Sequence, residues 1–317
     1  MNTFVLNITN RCNFTCEHCF REEASKEDLA LDALEPCLPT LRSLGVQTLA
    51  LTGGEPILHP RFPALLALLV KEGFRVGLVT NGWHTPRYLA ALAPHKDQIA
   101  YVAISLDGHT ASAHDALRAR PGSFDAVLAS IEAFHQAGYQ VNISHVMSRH
   151  TASAHDLMAL GNLLAELPVA SLTLGAVVPT PRNGPVQLTT SPQLLLAAIR
   201  LLRRKLGNRI RVTPSVGLAR GYQFCNNLQT MNDVALRYDG DVVFCCDSIT
   251  SNRGAILGNV NREPLLTILR RHPERAAQVM AARLSAMAAG KQAECNDCAF
   301  CNQALASEPR AVRLAVV

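Results

Sequence analysis

Over roughly its first two hundred residues the chain alternates short β-rich apolar runs with segments of helical period, and this order admits few folds. The runs are Phe4–Thr9, Thr48–Leu51, Val76–Thr80, Ile99–Ser105, Gln140–Val146 and Leu172–Val178. Between them the spacing predicts helices near Lys26–Leu44, Arg61–Glu72, Pro86–Leu92, Phe124–Ala137, Ala154–Leu167 and Pro192–Leu206. Ser25 with Asp28 resembles a capping box, while Gly45, Gly73 and Gly138 stand where a left-handed residue ends a helix. Six β/α units in a row imply a parallel sheet, since parallel neighbours need helical crossovers. The strands read as continuous apolar runs, as expected under a cover of helices. Periodicity leaves an open doubly wound sheet and an incomplete barrel both open. After about Arg211 the alternation stops. ALRYDGDVVFCC then reads as a β-hairpin around Asp239-Gly240, and a helix near Pro273–Met287 precedes CNDCAFC. The chain thus divides into a β/α domain over 1–210 and a small cysteine-bearing domain over 211–317.

Charge and hydropathy remove two classes of partner. The formal charge is +5, from 30 Lys+Arg against 25 Asp+Glu with no block of like charges, so no nucleic acid is expected. No stretch approaches the ~18 uninterrupted apolar residues of a membrane span, so no membrane partner is expected either. The N-terminus, MNTFVLNITNRC, lacks a basic flank followed by an apolar run. That argues against a signal peptide and for the cytoplasm, where thiols stay reduced.

Ten cysteines then need a reason. They stand at 12, 16, 19, 37, 225, 245, 246, 295, 298 and 301. Only Cys37 lies between the two terminal groups, a distribution that suits metal ligation or redox chemistry better than a disulfide framework. Cys12, Cys16 and Cys19 (CNFTCEHC) directly follow the first strand. Three thiolates in a short loop can hold three corners of an iron–sulfur cluster and leave a fourth iron open to a substrate or cofactor. The plain alternative is a structural zinc site completed by His18 or a distant residue.

Further motifs follow in order: TGGEP at Thr52–Pro56, TNG at Thr80–Gly82, SLDG at Ser105–Gly108, and HDALRARPGSF from His114 to Phe124. Each stands at or just beyond the C-terminal end of an expected strand, the edge where parallel β/α folds bind ligands. With the three cysteines, these motifs resemble the radical S-adenosylmethionine (SAM) superfamily. The resemblance implies a partial (β/α)6 TIM-like barrel. Cys12, Cys16 and Cys19 would hold a [4Fe–4S] cluster whose fourth iron chelates SAM. His18 would lie near the adenine, and Gly53, Gly54, Glu55 and Pro56 would receive the methionine ammonium by backbone and carboxylate. Ser105 would bind the ribose and Arg118 the SAM carboxylate. Asp107 reads as a turn residue and His114 as structural. The implied chemistry is reductive cleavage of SAM to a 5′-deoxyadenosyl radical that abstracts hydrogen, with flavodoxin or ferredoxin as reductant.

The stretch RYDGDVVFC is similar to the hairpin that opens SPASM and twitch extensions of that superfamily. It implies a small α+β domain with one auxiliary [4Fe–4S] cluster on Cys225, Cys245, Cys295 and Cys298, with Cys301 able to replace one of the last pair. A zinc ribbon is the competing reading. Cys246, next to a ligand on a hairpin strand, should leave on the opposite face. It is the candidate hydrogen donor, with Cys301 behind it. Cys37 reads as a core residue. Arg182, in the VPTPRNG segment Val178–Gly184, follows the sixth strand and faces the expected pocket. The first cluster begins at residue 12, so any leader-peptide recognition is expected from a separate protein. The substrate is expected to be a peptide undergoing epimerisation, cross-linking or oxidation. A sugar-like small molecule, epimerised or dehydrogenated, is the alternative, and a structural or sensor protein is the reading from another class.

Overall fold

The computed structural model describes residues 2–21, 24–178, 190–215, 227–248, 252–289 and 297–306. Seven parallel strands follow one another: β1 (Thr3–Asn7), β2 (Thr48–Thr52), β3 (Arg75–Thr80), β4 (Ile99–Ser105), β5 (Val141–Met147), β6 (Ser171–Ala176) and β7 (Arg211–Pro214). The last is one strand more than the alternation suggests, and it pairs with β6 from Ser171↔Arg211 to Leu174↔Pro214. The expected hairpin forms from β8 (Ala235–Leu236) and β9 (Asp241–Val243), and β10 (Ile256–Asn259) adds antiparallel to β9. β8 lies parallel to β1, so one ten-stranded mixed sheet runs β10-β9-β8-β1-β2-β3-β4-β5-β6-β7. The hairpin that carries Cys245 and Cys246 is therefore built onto the first strand of the series.

The strands alternate rather than running apolar throughout. Phe4, Leu6, Leu49, Leu51, Val76, Leu78, Val102, Ile104, Leu172 and Leu174 are fully buried. Small or polar residues stand between them: Asn7, Ala50, Gly77, Ala103, Ser105, Asn142, Ser144, Thr173 and Gly175. Successive side chains point to opposite faces, so one face makes the core and the other can line a cavity. Each buried aliphatic contributes about 1.5–3 kcal/mol. Gly77 makes room on the second face, where a Cβ would lie 2.3 Å from the Tyr101 ring.

The first expected helix is interrupted. In place of one helix from Lys26 there are Leu31–Leu34, a 3-10 turn Glu35–Cys37, and Leu38–Ser43. Ser25 and Asp28 do not cap it, because their side chains hold the cysteine loop instead. Gly45, Gly73 and Gly138 do take φ of +78°, +81° and +78° at helix ends. Cys37 is a buried core residue, as expected. No helix among the described residues is long and apolar enough to cross a membrane.

Candidate functional site

The loop with the first three cysteines is clamped at its base. The Thr9 hydroxyl donates to Asp28 at 2.6 Å, Arg11 forms an ion pair with Asp28 at 2.9 Å, and Asn10 donates to Ser25 at 2.9 Å. The turn after β2 locks against the same segment, with Gly54 N donating to Thr9 O and Glu55 N to Arg11 O, both at 2.7 Å. That contact explains the glycines: a Cβ on Gly54 would lie 1.8 Å from Arg11 O, and Gly53 takes φ +143°. The close approach they permit is of chain to chain. On the far side Asn81 donates to Asn13 at 2.9 Å, and Phe14 packs edge-on against Trp83, which lies under Arg120.

Glu55 is held by the protein itself. Its side chain is fully buried and accepts from the Thr80 hydroxyl at 2.6 Å, from Asn81 N at 2.9 Å and from the Tyr88 hydroxyl. Burial raises its pKa, against the pull of those donors. The carboxylate thus braces two turns, with Oε1 held by two hydroxyls and Oε2 by Asn81 N. Of the four GGEP residues only Gly54 lines the cavity described next; Gly53, Glu55 and Pro56 stand behind it.

A cavity of about 400 Å³, within the usual range for ligand sites, opens along the second face of the sheet. Cys12, Cys16, Cys19, His18, Ser105 and Arg118 line it, together with strand residues such as Asn7, Thr52, Ser144 and Thr173. Three soft sulfur donors lining one cavity suit iron–sulfur ligation. Burial pushes the Cys12 thiol up and that of Cys16 to about 11, with Arg118 the largest opposing influence on Cys16. Such thiols ionise when a metal takes them. His18 is buried, and burial drives its pKa down to about 4, so it faces Asp107 at 3.6 Å as a neutral ring. Arg118 Nε has no hydrogen-bond partner among the described residues, which leaves a buried donor available to a ligand's carboxylate. The residues fit a cluster-bound cofactor of this kind.

Asp107, which the sequence suggests is a turn residue, is fully buried and organises this wall. Its Oδ2 is 2.5 Å from Arg118 Nη2, and its Oδ1 accepts from Val146 N at 2.7 Å. Its backbone N–H donates to Nδ1 of buried His114 at 3.1 Å, so that histidine supports the Asp107 turn. Burial alone would raise the Asp107 pKa; Arg118, followed by His18 and His145, instead holds it well below the usual carboxylate range.

The second cysteine group reaches the same cavity. Cys245 and Cys246 lie past the end of β9, in a turn, so strand alternation does not apply to them. Their sulfurs and the Asp247 carboxylate all lie within 4.8 Å of one another, contrary to the expected opposite faces. Cys246 and Asp247 line the cavity, while Cys245 packs against the core. A hydrogen bond shared with Cys245, then burial and Asp247, push the Cys246 thiol far up, so it is protonated at neutral pH. The helix Asp297–Ala306, which carries Cys298 and Cys301, sits beside this turn: Asn252 donates to Asn302 O at 2.8 Å, and Asn302 donates to Asp247 O at 3.4 Å. Cys301 is half-buried against the core. Cys225, Cys295, Arg182 and the side chain of Cys298 lie outside the described residues.

Comparison with known proteins agrees with this arrangement. Residues 6–161 match the family model of the Radical SAM superfamily, and residues 225–302 match SPASM, an iron–sulfur cluster-binding domain. Fe-coproporphyrin III synthase of Methanosarcina barkeri is 29% identical over 165 residues, 51% of this chain and 40% of that protein. The antilisterial bacteriocin subtilosin biosynthesis protein AlbA of Bacillus subtilis is 32% identical over 154 residues, 47% of this chain and 34% of that protein. The chain spans half or less of the length of these curated relatives. Streptococcus suis SuiB bound to S-adenosylmethionine superposes with a TM-score of 0.68 at 16% identity, covering 84% of this chain and 65% of that one. SuiB has also been solved bound to its precursor peptide SuiA.

Proposed function

Because the chain is a radical SAM enzyme with a C-terminal SPASM-type iron–sulfur cluster-binding domain, we propose that it uses SAM to abstract a hydrogen atom from a peptide. One observation carries this reading: Cys12, Cys16 and Cys19 share a single cavity with Cys246. The peptide class draws its support from the precursor peptide in SuiB and the bacteriocin pathway of AlbA. When bound, the cluster and SAM supply an electron and a 5′-deoxyadenosyl radical.

The chain's own residues would do the rest. Cys12, Cys16 and Cys19 hold three irons, Gly54, Ser105 and His18 border the cofactor, and Arg118 Nε meets its carboxylate. Cys225, Cys245, Cys295 and Cys298, with Cys301 as the substitute, hold an auxiliary [4Fe–4S] cluster. The place of Cys246 on the cavity of the first three cysteines favours epimerisation over oxidation, since its S–H can return a hydrogen atom to the substrate carbon from which one was taken. The thiyl left behind then takes one electron and one proton. The reaction belongs to the cytoplasm, with flavodoxin or ferredoxin as electron source and a separate leader-binding protein presenting the peptide.

The test is an anaerobic turnover in D2O with the peptide encoded beside the gene. The expected product carries one deuterium at an inverted centre. Cys246→Ala should abolish that label while its iron content stays that of wild type. A product lacking two hydrogens would replace epimerisation by oxidation or cross-linking. Loss of iron from Cys246→Ala would make that residue a ligand, and turnover of a sugar alone would remove the peptide.

A further inference from the structure

We propose that Asp107 is a positioning residue that acts through Arg118: it holds one edge of the guanidinium and offsets the charge that Nη1, on the other edge, brings to the sulfur of Cys16, and so sets the reduction potential of the group the three cysteines hold.

The geometry is a relay of three side chains. Arg118 Nη2 is 2.5 Å from Asp107 Oδ2, and Nη1 of the same planar fork is 3.9 Å from Cys16 Sγ. A guanidinium is rigid, so fixing one edge fixes the direction of the other. Asp107 is itself fixed from two further directions, through Val146 N to its Oδ1 and through its own N–H to His114. Asp107 and Arg118 are 0% and 8% exposed, so neither can trade its partner for water. A buried charge without its counter-charge is strongly unfavourable, which makes the two a unit.

Two consequences follow for a cluster on Cys16. Hydrogen bonds to ligand sulfurs and net charge nearby both set cluster potentials. The Arg118 contact favours the reduced form, and the Asp107 charge, one step further away, moderates it. Removing Asp107 leaves Arg118 unbalanced beside the sulfur and should shift the potential positive. Removing Arg118 should shift it negative. It also strands the Asp107 carboxylate in a dry site, where that group takes up a proton and becomes neutral. Asp107 then has nothing left to act through.

This inference rests on the reading of Cys12, Cys16 and Cys19 as cluster ligands, and the test separates the two. Redox titrations of the reconstituted holoprotein would follow the EPR signal that changes when SAM is added, in wild type, Asp107→Ala, Asp107→Asn, Arg118→Ala and the double Ala variant. Iron content and melting temperature would be measured alongside. The expected result is a positive shift in Asp107→Ala, the same sign in Asp107→Asn, a negative shift in Arg118→Ala, and a double variant equal to Arg118→Ala. Asp107→Asn keeps an oxygen for Val146 N, so it serves where Asp107→Ala does not fold. An unmoved potential in an iron-replete Asp107 variant, or additive shifts in the double variant, would overturn the inference alone. A wild type with no SAM-responsive signal would overturn the reading of the cysteines, and the inference with it.

Discussion

The Thr80 hydroxyl donates to the buried Glu55 carboxylate at 2.6 Å, tying the end of β3 to the turn that follows β2. Asn81 N and the Tyr88 hydroxyl complete the shell, and Tyr88 in turn accepts from Ile57 N at 3.0 Å. Glu55→Ala would leave several buried donors unsatisfied, each worth about 1–3 kcal/mol. The variant should therefore lose about 3–5 kcal/mol of stability, and Glu55→Gln less, because its amide oxygen still accepts. Urea unfolding of the two variants beside wild type gives the ranking. Equal losses would show that the hydrogen bonds of Glu55 are not what matters.

Two glycines should respond to alanine very differently. Gly45 has φ +78° and nothing within 4 Å of an added Cβ, so Gly45→Ala should cost only about 1 kcal/mol of backbone strain. Gly54→Ala places its Cβ 1.8 Å from Arg11 O and must push the turn after β2 away from the cysteine loop. Gly54→Ala should therefore take up less iron after reconstitution, while Gly45→Ala stays replete. Iron and sulfide analysis of both purified variants decides the point.

Acid should weaken the C-terminal part of the molecule through His272. The ring is 2% exposed and stacks on Phe244 at 4.4 Å, and burial lowers its pKa from 6.5 to about 4. A folded pKa below the unfolded one means that U binds the proton first. Stability is therefore full above pH 6.5 and declines as the pH falls toward 4. By pH 4.5 this one group accounts for about 2 kcal/mol. His272→Phe keeps the stack and should flatten the decline. Melting temperatures between pH 5 and 8, where the two proteins should diverge on the acid side, measure it; parallel curves would remove His272 from the account.

The frame of the fold is legible because helical spacing follows each expected strand and Gly45, Gly73 and Gly138 mark three of the helix ends; all six expected strands start within one residue of their positions. The alternation within strands was there to read as well: Leu6-Asn7 and Ile104-Ser105 already show a large aliphatic beside a small polar residue. β7 escapes because RVTP is only four residues long and ends on a proline. The first three cysteines are legible from chemistry and spacing, and Arg118 from the resemblance that its segment carries. Asp107 is not, because SLDG reads locally as a turn, and only the fold brings Arg118 and Val146 to it. The partners of Glu55 are hidden for the same reason, since Thr80, Asn81 and Tyr88 come from a later β/α unit. For Cys246, the period-two rule fails because the strand ends at Val243.

The measurement that bears most directly on the account is 5′-deoxyadenosine formed by the anaerobically reconstituted protein on addition of SAM and dithionite. The control replaces Cys12, Cys16 and Cys19 with Ala and leaves Cys225, Cys245, Cys295, Cys298 and Cys301 in place. The account predicts deoxyadenosine from the wild type and none from the control, with the control still retaining the iron of the auxiliary site. Deoxyadenosine from the triple variant, or none from an iron-replete wild type, would contradict it.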